Sequence, residues 1–212
     1  MGPLKDIKIF DLTRVLAGPH CTQILGDLGA DIIKVERVEN GDDTRKFAPP
    51  FMKDENGKDT DQSAYFSGTN RNKRSITLNL NSPEGQYIAK QLIAKSDILV
   101  ENFKVGTLAK YGLDYNTLKD EFPSLIYCSI TGFGQTGPYS KRPAYDALVQ
   151  AMGGVMSLTG DANGEPMKVG VSIADLMAGM YGTVSILAAL RHRDKTNEGQ
   201  HLDISMLDAH VA

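Results

Sequence analysis

Asp175 stands at the head of a run, residues 173–193, whose apolar residues predict a long helix. An Asp in that place has two uses. It can cap the helix, the commonest task of Asp at a helix start. It can also work as a nucleophile, because a carboxylate facing a helix amino terminus is kept ionised by backbone N–H groups and can attack an acyl carbon. Spacing alone supports both uses.

Basic residues recur near predicted strand ends: Arg37 after the second strand, Arg71, Lys73 and Arg74 before the third, Lys104 and Lys110 after the fourth. Singly, each reads as solvated surface charge. Together they point to an anionic ligand carrying phosphates. Glu36, at the end of the second strand, invites a ribose-binding role. The dinucleotide fingerprint is nevertheless absent, since Thr13-Arg14-Val15-Leu16-Ala17-Gly18-Pro19 holds one glycine and bulky residues where backbone should approach a pyrophosphate. His20 adjoins Cys21, and His192, His201 and His210 lie nine residues apart, which is not zinc-ligand spacing. No metal is expected. Neither GxSxG nor a P-loop occurs.

The elements that must position these residues alternate. Residues 7–10 read as a strand, and Cys21, Ile24, Leu25 and Leu28 follow at helical spacing. Gly29 suits the helix end, and residues 31–36 form a second strand, completing a βαβ unit with parallel strands. Residues 40–70, polar and weakly periodic, read as a long surface excursion. Strand 75–80 leads to a helix opened by Ser82-Pro83-Glu84, an N-cap, a Pro at the first turn and an acid. Strands at 97–101 and 125–130 follow, the latter ending in the Gly-rich segment 131–138. Residues 144–152 read as helix, Gly153-Gly154 breaks it, and a last strand at 201–205 enters a helix. The pattern predicts an α/β, Rossmann-like domain over residues 1–212, with a mainly parallel sheet, flanking helices and a ligand crevice at the strand carboxyl ends.

Composition agrees with a folded domain. The chain has 212 residues, 41% of them hydrophobic, and a net charge of −3, which argues against general affinity for nucleic acid or an anionic membrane. Residues 169–190 are apolar but broken by Ser172, Asp175, Gly179 and Gly182, so they read as buried helix rather than a membrane span. Two cysteines, Cys21 and Cys128, and no apolar or Arg/Ser-rich leader predict a reducing, cytoplasmic setting.

Several segments together carry a resemblance. Residues 11–19, Gly29-Ala30-Asp31-Ile32-Ile33-Lys34-Val35-Glu36, Asn70-Arg71-Asn72-Lys73-Arg74-Ser75-Ile76, Val100-Glu101-Asn102-Phe103, residues 127–138 and Asp203-Ile204-Ser205-Met206-Leu207-Asp208-Ala209 resemble the family III CoA-transferases, in order and over essentially the whole chain. The resemblance implies that coenzyme A or acyl-CoA is a substrate, with a carboxylic acid acceptor and no permanently bound cofactor. It implies that Asp175 forms acyl anhydrides and a CoA thioester in turn. It also implies CoA contacts at Val15, Leu16, Ala17, Arg37, Leu78, Leu80, Asn81, Asn102, Phe103, Lys104, Lys110, Arg142 and Tyr145.

The related α-methylacyl-CoA racemases carry a His where this chain has Tyr145, and a phenol is a poor proton shuttle near neutral pH. Transfer is therefore preferred over racemisation. Formyl-CoA transferases carry Gln at the place of Leu16 and Lys at those of Asn81 and Pro143, so the pattern leans toward dicarboxylates such as succinate and glutarate. Family members are longer, add a smaller second domain, and interlock as homodimers. By that comparison this chain reads as an amino-terminal portion, with a non-catalytic CoA-binding fragment as the opposing reading.

Overall fold

The structure is a computed structural model and describes residues 2–212. Its first unit is β1 (Lys8–Asp11), α1 (Ala17–Asp27) and β2 (Asp31–Glu36), with β1 and β2 parallel. Three further parallel strands carry the same logic: β5 (Lys73–Thr77) after α2 (Ala64–Asn70), β6 (Ile98–Glu101) after α3 (Pro83–Ile93), and β7 (Ile126–Thr131) after α4 (Tyr115–Leu118). Then come α5 (Asp146–Met152), α6 (Ile173–Thr196), β8 (His201–Ser205) and α7 (Met206–Val211). The six-stranded sheet runs β5-β2-β1-β6-β7-β8, every pair parallel.

Strands in such a sheet are covered on both sides, so their residues are apolar in succession rather than alternately polar. Ile9, Ile98, Val100, Ile126, Cys128 and Ile130 pack with Cys21 and Leu25 of α1 and Ala178 and Ile186 of α6. Their neighbours Phe10, Leu99 and Tyr127 point to the other face, against Ala89 and Ile93 of α3, Leu108, Leu113 and Leu118. By length and composition alone α6 can cross a membrane. Here its Ala174, Ala178, Gly182, Ile186 and Ala189 are buried in the protein.

The excursion at 40–70 is more structured than its composition predicts. It holds a short 3-10 turn (Asp43–Lys46), an antiparallel hairpin of β3 (Phe51–Lys53) and β4 (Asp59–Ser63), and α2. Side chains supply the order that periodicity lacks. Asp54 accepts from the N–H groups of Asn56 and Lys58 in the hairpin turn, Gly57 takes φ +76°, and Ser63 caps α2. β5 begins two residues earlier than expected and ends at Thr77, while Leu78 and Leu80 turn inward to pack on the second core.

Ser82 caps α3 as expected, its hydroxyl accepting from Gly85 N–H at 3.1 Å. Ser82→Ala should cost about 1 kcal/mol. That is a fall in melting temperature of roughly 2–4 °C for a domain of this size, readable by calorimetry.

Candidate active site at the switch point of the sheet

Chain order reverses between β1 and β6, so the connections leaving their carboxyl ends part to opposite sides and open a crevice. A cavity of about 250 Å³ lies there. Residues 14–17 after β1, 102–105 after β6, 130–132 at the end of β7 and 142–145 before α5 form its walls, with Asp175 and Met206. A second groove of about 580 Å³ runs past Leu12, Arg37, Leu78, Leu80, Asn81 and Tyr111. Arg14 and Phe103 belong to both walls, the Arg14 guanidinium lying 5.6 Å from the Phe103 ring centre.

Asp175 does not cap its own helix. The cap position of α6 is Ser172, whose side chain makes no capping bond, and Asp175 is the third helical residue. The orphan N–H groups are bound from α5 instead: Asp146 accepts from Ala174 N at 2.8 Å and from Asp175 N at 3.4 Å. This leaves the Asp175 carboxylate free to face the start of α1 across the cavity both line, where the Ala17 N–H favours its ionised form. The α1 cap position is Leu16, which has no side-chain acceptor, so that helix end turns uncapped N–H groups toward the cavity that Asp175 lines. Burial and the nearby Asp146 charge nevertheless raise the Asp175 pKa to about 6, against the lowering effect of Ala17. Tyr65 feels the same field: burial and then the Asp175 and Asp146 charges push its phenol upward.

The family model described as CoA-transferase family III matches residues 4–212. This chain belongs to CoA-transferase family III. It is 51% identical over 99% of its length to the succinate–glutarate CoA-transferase of Agrobacterium fabrum, of which it covers 52%. It is 48% identical to the human succinyl-CoA:glutarate CoA-transferase, covering 99% of this chain and 46% of that one. Among solved structures, a CAIB/BAIF family protein from Brucella suis superposes with a TM-score of 0.94 at 50% identity, over 99% of this chain and 55% of that one. This family III chain thus spans about half the length of the curated relatives it matches.

Of the residues expected in the site, Val15, Leu16, Ala17, Asn102, Phe103, Lys104, Arg142, Tyr145 and Asp175 line the cavity. Arg37, Leu78, Leu80 and Asn81 line the second groove. Lys110 lines neither; it lies on the 3-10 turn Leu108–Tyr111, beside Tyr111, whose hydroxyl donates to Asn81 at 2.8 Å. Tyr145 stands at the rim, 77% exposed.

The anionic-ligand reading of Arg71, Lys73 and Arg74 is corrected. All three lie at the amino end of β5, where Lys73 is opposite Ile32. Arg71 pairs with Asp27 and Arg74 with Asp31, and the buried Lys73 ammonium lies 3.2 Å from Asp11 and 2.9 Å from the Pro19 carbonyl. Glu36 has no oxygen left for a ribose. Arg45 holds it in two bonds of 2.6 and 2.7 Å, Ser75 and the Asp42 N–H add two more, and its pKa falls to about 2 despite burial. By contrast, among the described residues no acid pairs with Lys104, Lys110 or Arg142, which leaves these cations open to a ligand.

Sequence reasoning missed Arg14, Asp43, Tyr65, Thr131 and Asp146. Thr131 lines the cavity, and its Oγ1 is buried with no partner among the described residues. Asp146 carried one local signal, an acid in the first turn of a helix, but its use 28 residues downstream has no local trace.

Proposed function

We propose that the complete protein transfers CoA from succinyl-CoA to a dicarboxylate such as glutarate, with Asp175 as the covalent carrier. The observation that carries this reading is a half-buried carboxylate, free of its own helix's capping, in a crevice walled also by Lys104 and Arg142, which have no acid partner among the described residues. The names of the relatives support the acids, since three are succinate- or succinyl-CoA–glutarate transferases and others are named for mesaconate or L-malate.

The chemistry balances without an external reagent. An Asp175 oxygen attacks the thioester carbon of succinyl-CoA, the C–S bond breaks, and CoA thiolate leaves behind a mixed anhydride. Thiolate then attacks the Asp175 acyl carbon, releasing succinate and leaving an aspartyl-CoA thioester. The acceptor carboxylate displaces thiolate to form a second anhydride. Thiolate attack on the acceptor's acyl carbon finally releases the new acyl-CoA and regenerates the Asp175 carboxylate. CoA phosphates would meet Lys104 and Arg142 and, by exchange with its partner Asp43, Arg37, while Leu78, Leu80 and Phe103 would flank adenine and the pantetheine arm. Two buried, free cysteines suit a cytoplasmic setting, and the exposed apolar residues Met180, Val184 and Leu187 on α6 suit a dimer.

The decisive test traps the carrier. Incubating the full-length protein with succinyl-CoA and then hydroxylamine or borohydride should mark Asp175 in the digested peptide. An unmodified Asp175 in an enzyme that is turning over rules this reading out.

The pH profile gives an independent check. The attacking group must be ionised, so kcat should fall below about pH 6, by about tenfold per pH unit. Asp146→Asn keeps a cap acceptor for α6 while removing the charge that helps raise the Asp175 pKa. Its acid limb should therefore move to lower pH; a limb that stays put would show that Asp146 has no electrostatic hold on Asp175.

A further inference from the structure

Val15 has φ +70°, in the left-handed region where a β-branched side chain is an outlier. Such a backbone persists only where the surroundings over-determine it. Here they do so from three sides. Asn102, beyond the end of β6, takes both polar groups of the Arg14 backbone: its Oδ1 accepts from Arg14 N at 2.9 Å and its Nδ2 donates to Arg14 O at 2.7 Å. Asp42 accepts from Val15 N at 3.4 Å, and Lys34, buried and paired with Asp42, donates to Thr13 O at 2.8 Å. Two residues after Val15 comes Ala17, the first residue of α1, which lines the same cavity as Asp175 and whose N–H favours the ionised carboxylate.

We propose that Asn102 is a positioning residue, whose two bonds to Arg14 hold Val15 left-handed and so aim the α1 amino terminus at the Asp175 carboxylate. The inference rests on the reading of Asp175 as the carrier. It also changes what Asn102 is for: both ends of its amide are committed to backbone, so its side chain serves the site through Arg14 and not through a bond to CoA. The other groups facing Asp175 are Asp146 of α5 and Tyr65 of α2, and across the cavity stand Arg14, Asp43, Lys104 and Arg142. Of these groups Asp146 raises the Asp175 pKa, and the Ala17 N–H at the head of α1 opposes it.

Glycine adopts a positive φ without strain, so Val15→Gly should remove the need for the clamp. The experiment is therefore a double-mutant cycle in the full-length protein: parent, Asn102→Ala, Val15→Gly and the double variant, each with a pH profile of kcat and a KM for succinyl-CoA. With Val15 present, Asn102→Ala should lower kcat by about tenfold or more and move the acid limb upward, while KM changes by less than about twofold. Combined with Val15→Gly, the same change should cost kcat less than about threefold. Equal losses in both backgrounds overturn the proposal, as does a raised KM with kcat intact, the mark of a direct CoA contact. If Asn102→Ala does not fold, Asn102→Asp, which still accepts from Arg14 N–H but cannot donate to its carbonyl, takes its place with the same criteria. Turnover that survives Asp175→Asn brings down the carrier reading and this inference with it, whereas a normal acid limb with an uncoupled cycle brings down the clamp alone.

Discussion

Asp175→Asn in the full-length protein is expected to abolish turnover while making the protein more stable. The amide cannot form an acyl anhydride, so kcat should fall by at least about a thousandfold, some 4 kcal/mol of barrier. The stability gain follows from the sign of the pKa shift. Asp175 is raised from the ordinary carboxylate value to about 6, so its ionised form is disfavoured in the folded state. That cost is present above about pH 6 and is relieved as the pH falls and the folded protein takes up the proton before the unfolded chain does. A shift of about two units corresponds to up to about 3 kcal/mol at pH 8, a gain that should shrink toward pH 4. A helix cap behaves in the opposite way: Asn substitutes for Asp with little change in stability and none in turnover. Denaturation midpoints at pH 8 and pH 5, beside the rate assay, separate the two, and a variant that is no more stable at pH 8 would falsify the account of a buried, destabilised nucleophile.

Lys34→Met is expected to have the largest effect on folding. The Lys34 side chain is 1% exposed and that of Asp42 is fully buried, with the ammonium 2.9 Å from the carboxylate and 2.8 Å from Thr13 O. A Met fills similar volume, yet it leaves Asp42 as an uncompensated buried charge, a change that costs about 3–5 kcal/mol. Against a typical total of about 5–15 kcal/mol, such a loss populates unfolded chain at ordinary temperature. Asp42 also binds Thr44 and the Val15 N–H, so the damage should spread to the loop that meets Asp175. Lys34→Met/Asp42→Asn removes both charges and should recover much of the loss. A midpoint in urea unchanged by Lys34→Met would show that the pair contributes nothing to stability.

What could be read from the sequence was whatever depends on near neighbours. The first βαβ unit is legible because strand and helix periods follow one another within residues 7–36, and Ser82-Pro83-Glu84 announces its helix through backbone chemistry confined to one turn. The hairpin at 51–63 is not, since β3 is only three residues long, β4 is polar, both are mostly exposed and their order comes from Asp54 and Ser63 side chains. Charges mislead for the same reason. Nothing near Lys73 in the chain reveals that its partner is Asp11, 62 residues away, any more than Asn102 reveals that it holds Arg14. Most residues that the resemblance named line the cavity or the groove beside it, because the resemblance draws on whole segments in order. Which of their atoms remain free for a ligand is a property of the fold.

The two walls of the cavity differ in compliance. Asp175 rides on α6, a helix of 24 residues and so about 36 Å long. It is braced at its head by Asp146 and near its foot by Arg193, which bonds Asp97 at 2.9 Å just before β6. The facing wall, residues 132–145, is coil, with Gly134 and Gly137 at positive φ and few ties beyond Gln135 N to Asp203 and Gly132 O to Leu207. On the proposed reading of Asp175, the part of this chain that can yield to acyl groups of different length is the coil, while α6 keeps the carboxylate's bearing on the sheet. On that reading, adjustment to the acyl group and hold on the carrier fall to different stretches of this chain.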